Sequence, residues 1–247
     1  MSRDGLQVLI VDDEIELAEI MKISFESTGH DVAVAINGKD ALNMMETRDF
    51  DVVLTDVRMP VLDGVHLLEE LRDRDIDYPP VILMTAYSYV SPEDAYQNGA
   101  TGVLEKPCAT DDIISAVERS AATRRDRWLK TDEDNLQPSG EFEAEMPDYQ
   151  AVIDSNVLTL GRGGLFIALP ASSMPEVGDT VRFAFTFSSG NLTSLKGYGR
   201  VMWVRTTPTE DLPTGCGIEF LRLDNECIEE VIGEIEQSKV KPYIPKF

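Results

Sequence analysis

The feature that most constrains the fold is a regular alternation of short apolar runs and amphipathic segments in the first half of the chain. Five runs, QVLIV, DVAVA, DVVLT, PVILM and GVLEK, are rich in Val, Ile and Leu, as buried parallel strands are. Between them, segments such as EIELAEIMKISFEST place apolar residues three and four positions apart, which is typical of amphipathic helices. The pattern predicts a doubly wound α/β domain of five strand–helix units, with its ligand site at the carboxyl ends of the strands.

Residues that suit phosphoryl chemistry stand at these strand ends. Asp12 and Asp13 follow the first run, Asp56 follows the third, Thr85 ends the fourth and Lys106 ends the fifth. Clustered carboxylates attract a hard divalent cation, and Mg²⁺ binds a few carboxylates while it keeps several waters. A lysine and a hydroxyl beside that cation would offset the charge of a phosphoryl group. A single acidic residue at a strand end is commonly just solvated, but three acidic residues, a threonine and a lysine at matching strand ends favour a site.

Four motifs give this half a family resemblance. VDDE, LTDVRMPVLDG, MTA and EKP occur in the order and spacing that resemble the receiver domain of bacterial two-component response regulators, over residues 5–122. The resemblance implies that Asp56 accepts a phosphoryl group from a histidine kinase or a phosphotransfer protein. It also implies that Thr85 and Lys106 contact the phosphoryl oxygens.

The same resemblance implies a Mg²⁺ cofactor. Asp13, Asp56 and the main-chain carbonyl of Arg58 would hold the ion, and Asp12 would assist through a water molecule. Receivers usually carry an aromatic residue three positions before the lysine, where this chain has Val103, and often another after the Lys-Pro pair, where it has Cys108. We therefore expect the signal to pass through Thr85 and the packing of the fourth and fifth units, or through the helix after Pro107, without an aromatic switch.

Residues 123–148 read as a helical extension followed by an acidic linker. The last receiver helix is expected to begin near Asp111, and a coil-like stripe follows it through Ile114, Val117, Ala121 and Trp128. Two interpretations stay open: the stripe pairs with a second copy, giving a homodimer, or the helix packs on its own sheet and its extension is solvated. The stretch KTDEDNLQPSGEFEAEMPDY is acidic and contains Pro and Gly, which favours a loose linker.

Residues 149–238 show a different pattern, which is typical of short β-strands. TVRFAFTF alternates apolar and polar residues, and LKGYGRVMWVR and GCGIEFLRL read as further strands. Asn225 then opens an amphipathic helix whose apolar residues recur three or four apart. We therefore predict an α/β plus all-β chain, whose second part is a six-stranded antiparallel β-barrel closed by a C-terminal helix.

This second half resembles the PilZ domain, on GRGGLFIALP, EVGDTVRFAFTF, GYGRVMWVR and GCGIEFLRLDNE. PilZ domains are often receptors for cyclic di-GMP, which the binding members hold with an Arg-x-x-x-Arg segment and an Asp/Asn-x-Ser-x-x-Gly strand. Here no two arginines stand four apart, and alignment of the second motif leaves only Gly164 matching. The stretch TLGRGGLFIAL is therefore interpreted as a strand turn whose glycines set the backbone geometry, with Arg162 solvated. A weak nucleotide contact through Arg162 is the alternative.

Charge and composition limit the remaining functions. The net charge is −23, and residues 1–122 carry 9 basic against 25 acidic side chains, so DNA binding is not expected. No apolar run approaches a membrane span, no signal peptide is recognisable, and the three cysteines lack metal-ligand partners nearby, all of which favour the cytoplasm. The tail over residues 239–247 is expected to be disordered, with a docking peptide as the alternative.

No catalytic triad or metal-hydrolase pattern is recognisable, so the chain is not expected to be an enzyme. The sequence thus predicts a response regulator that signals through a protein-interaction module toward an unidentified downstream partner. Two alternatives stay open: a cyclic di-GMP effector gated by the receiver, and a phosphate sink or scaffold with an inert barrel.

Overall fold

A computed structural model describes residues 5–86, 89–129, 136–210 and 212–246. The chain divides into two units, Met1–Ala122 and Thr123–Phe247. Within the described residues, no helix has both the length and the apolar character required to cross a bilayer.

The first unit is a five-stranded parallel sheet with helices on both faces. Its strand order is β2-β1-β3-β4-β5, which is the doubly wound order that the alternation of runs predicts. The strands are β1 Gln7–Val11, β2 Asp31–Ala35, β3 Val52–Asp56, β4 Val81–Thr85 and β5 Gly102–Glu105. The helices are α1 Ile15–Ser27, α2 Gly38–Met45, α3 Gly64–Arg74, α4 Pro92–Gln97 and α5 Thr110–Ala121.

Both faces of this sheet are buried, which explains why its strands read as continuous apolar runs. Leu9 and Val11 belong to one core, and Val8 and Ile10 belong to the core on the opposite face. Successive residues of a strand point to opposite faces, so each strand contributes to both cores. The sheet is thereby clamped between two helical layers, and its carboxyl edge carries the candidate site.

The second unit is a curled six-stranded sheet of order β6-β9-β10-β11-β8-β7. Its strands are β6 Gly140–Met146, β7 Leu158–Leu160, β8 Gly164–Ala168, β9 Thr180–Phe187, β10 Ser194–Arg205 and β11 Gly215–Leu223. Its helices are α6 Arg124–Leu129, α7 Tyr149–Asp154 and α8 Ile228–Ser238, with a 3₁₀ turn at Ala171–Ser173. The predicted fold class is confirmed, with one difference: β6 pairs with β9 in parallel, and the other pairings are antiparallel.

Helix α6 and strand β6 lie within residues 123–148, where the sequence predicts an extension and a linker, and residues 130–135 of that linker lie outside the described residues. Helix α5 ends at Ala121 because Ala122 is extended, with φ −65° and ψ 148°, and Val117 is buried in the first unit. Trp128 lies on the separate helix α6 and is fully buried in the hydrophobic core of the second unit, with its ring edge-on to Phe220. The expected solvated extension is therefore wrong, and the stripe that suggested a homodimer is split between two helices. Strand β6 likewise places part of the expected linker in the sheet.

The C-terminal segment, residues 239–246, is also ordered, against the expectation of a disordered tail. Helix α8 ends at Ser238, and the capping residue Lys239 adopts the left-handed conformation (φ 47°, ψ 39°) that commonly terminates helices. The carbonyls of Pro242 and Tyr243 then accept hydrogen bonds from the main-chain N–H groups of Arg162 and Gly163, at 3.0 and 2.9 Å. Tyr243 is 3% exposed and Ile244 is fully buried. The C-terminal segment is thus docked on the turn between β7 and β8.

The glycines of TLGRGG were expected to set the backbone geometry of the turn, but the docked C-terminal segment explains them differently. A Cβ atom at Gly163 would lie 1.9 Å from the Tyr243 ring, and one at Gly161 would lie 2.6 Å from Pro245. Neither glycine has a positive φ, so neither is required by the turn conformation itself. The missing side chains instead make room for the C-terminal segment.

Gly163→Ala is expected to lower the free energy of unfolding of the second unit by about 1–3 kcal/mol, because the added methyl overlaps the Tyr243 ring. Urea unfolding followed by tryptophan fluorescence checks this, since both tryptophans lie in the second unit. Gly233→Ala is the matched control. An added Cβ at Gly233 meets open space inside α8, so this change should stabilise the unit by up to about 1 kcal/mol. Equal effects of the two changes would contradict the docked segment.

Trp128→Ala tests the assignment of α6 to the second unit. Deleting this fully buried ring is expected to cost about 3–5 kcal/mol in the same unfolding experiment. Leu129→Ala, at the neighbouring and partly exposed position, should cost far less. If Trp128→Ala left the transition of the second unit unchanged, α6 would not belong to its core.

Candidate functional site

The candidate site in the first unit is built around one ammonium group shared by two carboxylates. The Lys106 Nζ donates to Asp56 Oδ1 and, at 3.2 Å, to Asp12 Oδ2. Asp12 is only 1% exposed, so its charge depends on these partners for compensation. The structure thereby brings together three of the residues that the sequence places at strand ends.

The sheet topology explains the convergence. Asp12 directly follows β1, Asp56 is the last residue of the adjacent strand β3, and Lys106 directly follows β5. Because all five strands are parallel, their carboxyl ends meet at one edge, and side chains from distant parts of the chain lie side by side there.

Each carboxylate is also fixed by the main chain two residues further on. The free oxygen of Asp12, Oδ1, accepts a hydrogen bond from the Glu14 N–H at 2.9 Å. Asp56 Oδ2 accepts one from the Arg58 N–H at 2.6 Å. In both cases one oxygen binds the lysine and the other binds an amide, which sets the orientation of the carboxylate before any ligand arrives.

We call these three residues the Asp12–Lys106–Asp56 triad. The charges of its two carboxylates and one ammonium add up to a net negative charge. Burial works to lower the pKa of Lys106, but its contacts with Asp56 and Asp12 outweigh burial and raise it. Lys106 therefore stays protonated at neutral pH, and two carboxylates face one ammonium. The remaining negative charge suits a cation.

The donor set fits Mg²⁺. Among the described residues there is no cluster of three or more His, Cys, Asp or Glu side chains placed to hold a metal. Mg²⁺ does not require such a cluster, because it commonly takes one or two carboxylates and keeps water at its other positions. Asp12 and Asp56 supply two fixed carboxylates. The exposed Asp13 is the next residue along from Asp12, and Arg58 lies two residues beyond Asp56.

Thr85 lies at the same edge, and its main-chain carbonyl accepts a hydrogen bond from the Lys106 N–H at 2.8 Å. It ends β4, between β3 and β5, and is 6% exposed. Its hydroxyl donates to the carbonyl of Ala86 at 3.0 Å. This bond joins neighbouring residues of one loop, so a better acceptor near the strand end would compete for the hydroxyl.

The structure adds an aromatic contact that the sequence analysis missed. The Arg58 guanidinium lies over the ring of Tyr89, 4.3 Å from its centroid, and Tyr89 is 51% exposed. The contact links the loop after Asp56 to the loop after Thr85. The sequence indicates aromatic residues here in the stretch AYSYV, but the expectation of an aromatic switch concerned only positions 103 and 108.

The two residues at those positions are not aromatic. Val103 is partly buried against the core that contains Leu9 and Val11. Burial raises the pKa of the Cys108 thiol, although Lys106 acts to lower it.

In the second unit, Arg162 is not solvated as expected. It is 3% exposed, and its Nε donates to the Lys241 carbonyl at 3.0 Å. Arg127 donates to the Tyr243 hydroxyl at 2.6 Å, and Arg124 donates to the Arg162 carbonyl at 3.3 Å. Two guanidinium groups therefore bind the C-terminal segment, where a solvated loop arginine was predicted.

Comparison with known proteins identifies both units. The profile of the response regulator receiver domain matches residues 8–118, and the PilZ domain profile matches residues 136–237, which include β6. The transcriptional regulatory protein ZraR of Escherichia coli O157:H7 is 37% identical over 123 residues, which are 49% of this chain and 28% of ZraR. The DNA-binding transcriptional regulator NtrC of Klebsiella pneumoniae is 30% identical over 146 residues, 58% of this chain and 30% of NtrC.

These curated relatives are matched over less than a third of their own length. Among solved structures, the receiver domain of the Francisella response regulator 1452 is 35% identical. That match covers 47% of this chain and 97% of the Francisella chain, with a TM-score of 0.45. On the two profile matches, the chain combines a response regulator receiver domain with a C-terminal PilZ domain.

Proposed function

We propose that this chain is a response regulator of a two-component phosphorelay, and that Asp56 accepts a phosphoryl group from a histidine kinase or a phosphotransfer protein. The observation that carries the proposal is the Asp12–Lys106–Asp56 triad, in which the acceptor oxygen Oδ1 of Asp56 already touches the Lys106 ammonium. A cation placed at the acceptor offsets the negative charge that arrives with the phosphoryl group.

In the proposed transfer, a P–O bond to Asp56 replaces the P–N bond of the donor histidine. A carboxylate oxygen of Asp56 attacks phosphorus, the new P–O bond forms, and the P–N bond to the donor histidine breaks. The leaving imidazole keeps the bonding electron pair and becomes neutral by taking or retaining one ring proton. Lys106 gives up part of its contact with the esterified carboxyl and binds a phosphoryl oxygen. Thr85 exchanges its bond to the Ala86 carbonyl for a second phosphoryl oxygen.

Mg²⁺ belongs to this proposal. Asp13, Asp56 and the main-chain carbonyl of Arg58 would hold it, with Asp12 assisting through water. When bound, the ion offsets negative charge on the transferred group. The residues of this chain orient the acceptor: the Arg58 N–H fixes one oxygen of Asp56 and leaves the other on Lys106.

The second unit supplies the proposed output of the regulator. We propose that the PilZ domain acts in the cytoplasm as a protein-interaction module, placed or released by phosphorylation of the receiver, and that it neither binds DNA nor catalyses a reaction. The support is the state of Arg162. It is the charged residue of the TLGRGG turn, and it is buried and bonded to the C-terminal segment. A turn filled by the chain itself favours a protein partner over a nucleotide.

Cyclic di-GMP binding is the second candidate, because a PilZ domain is present and Arg124, Arg127 and Arg162 gather at one place. Guanidinium groups suit phosphates. For this candidate, the C-terminal segment would have to leave the turn that it covers.

Incubation with acetyl phosphate and Mg²⁺ is expected to add one phosphoryl group to the wild-type chain and none to Asp56→Asn, as read by intact-protein mass spectrometry. Asp12→Asn should slow the incorporation at least about tenfold, because it removes a charge from the triad. EDTA should abolish it in both active proteins.

Asp49→Asn is the matched control for these carboxylate changes, since Asp49 is exposed and lies outside the triad. It should react like the wild type. Incorporation into Asp56→Asn at the wild-type rate would refute the assignment of the acceptor.

Calorimetric titration distinguishes a protein-interaction module from a cyclic di-GMP receptor. Cyclic di-GMP added to the full chain, with and without Mg²⁺ and beryllofluoride, is expected to give no binding heat, because the C-terminal segment covers Arg162. Saturable binding in both states that Arg162→Gln weakens would establish the nucleotide as a ligand of the TLGRGG turn, and binding that Arg162→Gln leaves unchanged would assign it to another surface. Binding only with beryllofluoride would establish a receiver-gated effector.

A further inference from the structure

The outer face of the second sheet carries an aromatic ring between two arginines. Tyr198 on β10 stands directly opposite Arg182 on β9 and Arg222 on β11 in the strand register. The guanidinium carbons lie 5.0 and 4.6 Å from the Tyr198 ring centroid. Each contact is a cation–π interaction that holds its guanidinium in a defined place. Two fixed cations therefore flank the middle of this face.

A cleft lies beside these arginines. It has a volume of about 520 Å³, and Arg182, Arg222 and Lys196 line it together with the apolar Leu129 and Leu223. This volume falls within the range of sites that bind small molecules in proteins, roughly 300–1,000 Å³. The cleft involves neither the triad nor the TLGRGG turn.

The positive charges of the cleft are only partly compensated. Arg182 pairs with Asp224 at 3.2 Å and lies 4.0 Å from Glu141. For Lys196 and Arg222, the described part of the chain supplies no carboxylate within ion-pair distance. Among the described residues, these two cations therefore keep their charge without a carboxylate partner, although the chain as a whole has a net charge of −23. They favour an anionic ligand.

The other polar groups of the cleft restrict that anion. Asp224, Asn225 and Glu226 also line it, at the approach to helix α8. Carboxylates repel a bare anion but accept hydrogen bonds from hydroxyl or amino groups. The ligand that fits carries a phosphate toward the cations and hydrogen-bond donors toward the acidic side. Leu129 and Leu223 add apolar surface for a ring.

We propose that this cleft binds a small phosphorylated molecule of the nucleoside or sugar class, with Arg222 and Lys196 on the phosphate and Asp224 and Glu226 on its donor groups. The site is independent of phosphoryl transfer to Asp56. It would give the PilZ domain a small-molecule input on a face different from the TLGRGG turn.

The test is calorimetric titration of the full chain in phosphate-free buffer with adenosine monophosphate, ribose 5-phosphate and adenosine. Adenosine monophosphate should bind saturably, more weakly as the salt rises from about 50 to about 200 mM, and adenosine should not bind. Ribose 5-phosphate binding as tightly would assign the recognition to the phosphate and sugar. Weaker binding of ribose 5-phosphate would assign part of it to the base.

Arg222→Gln and Lys196→Gln should each raise the dissociation constant at least about tenfold, because each removes a charged donor to the phosphate. Arg200→Gln, two positions beyond Tyr198 on β10 and not lining the cleft, is the charge-matched control and should bind like the wild type. Arg222→Gln also removes the contact with Tyr198, so Lys196→Gln provides a second test that leaves this contact in place. The proposal is overturned if neither phosphorylated probe saturates below about 10 mM, or if all three variants bind equally.

Discussion

The functional edge of the receiver depends on one ammonium group shared between two carboxylates. Lys106 holds Asp12 and Asp56 side by side, although the three residues come from separate strand–helix units. The main-chain amides of Glu14 and Arg58 fix the remaining carboxylate oxygens. Asp56, the proposed acceptor, therefore has a fixed orientation before any ligand arrives, which would leave little reorganisation for the proposed reaction. Through these contacts, Lys106 joins the ends of β1, β3 and β5.

The second unit uses its arginines differently on its two faces. At the TLGRGG turn, Arg162 and Arg127 bind the C-terminal segment, and the missing side chains of Gly161 and Gly163 give that segment its room. On the outer face of β9, β10 and β11, two arginines rest on Tyr198 and border an open cleft. The first arrangement satisfies the guanidinium groups internally. The second leaves charge available to a ligand.

Much of this architecture could be predicted from the sequence because its signals are local. Strand patterns such as TVRFAFTF show their buried face directly, and parallel strands bring their ends to one edge wherever they lie in the chain. The errors concern elements whose partners are distant in sequence. Strand β6 alternates glutamates with modest apolar residues, so it reads as a linker until β9 is known. The burial of Tyr243 depends on a glycine turn about eighty residues earlier, and periodicity carries no information on such a contact.

We propose that phosphorylation of Asp56 in the receiver alters the PilZ domain. Hydrogen exchange of the full chain, followed by mass spectrometry with and without beryllofluoride and Mg²⁺, tests it most directly. We expect changed protection in peptides of the second unit, including Arg124–Leu129, in the wild type and not in Asp56→Asn. Changes confined to residues 5–122 would contradict the account, because the receiver would then respond without passing the signal on.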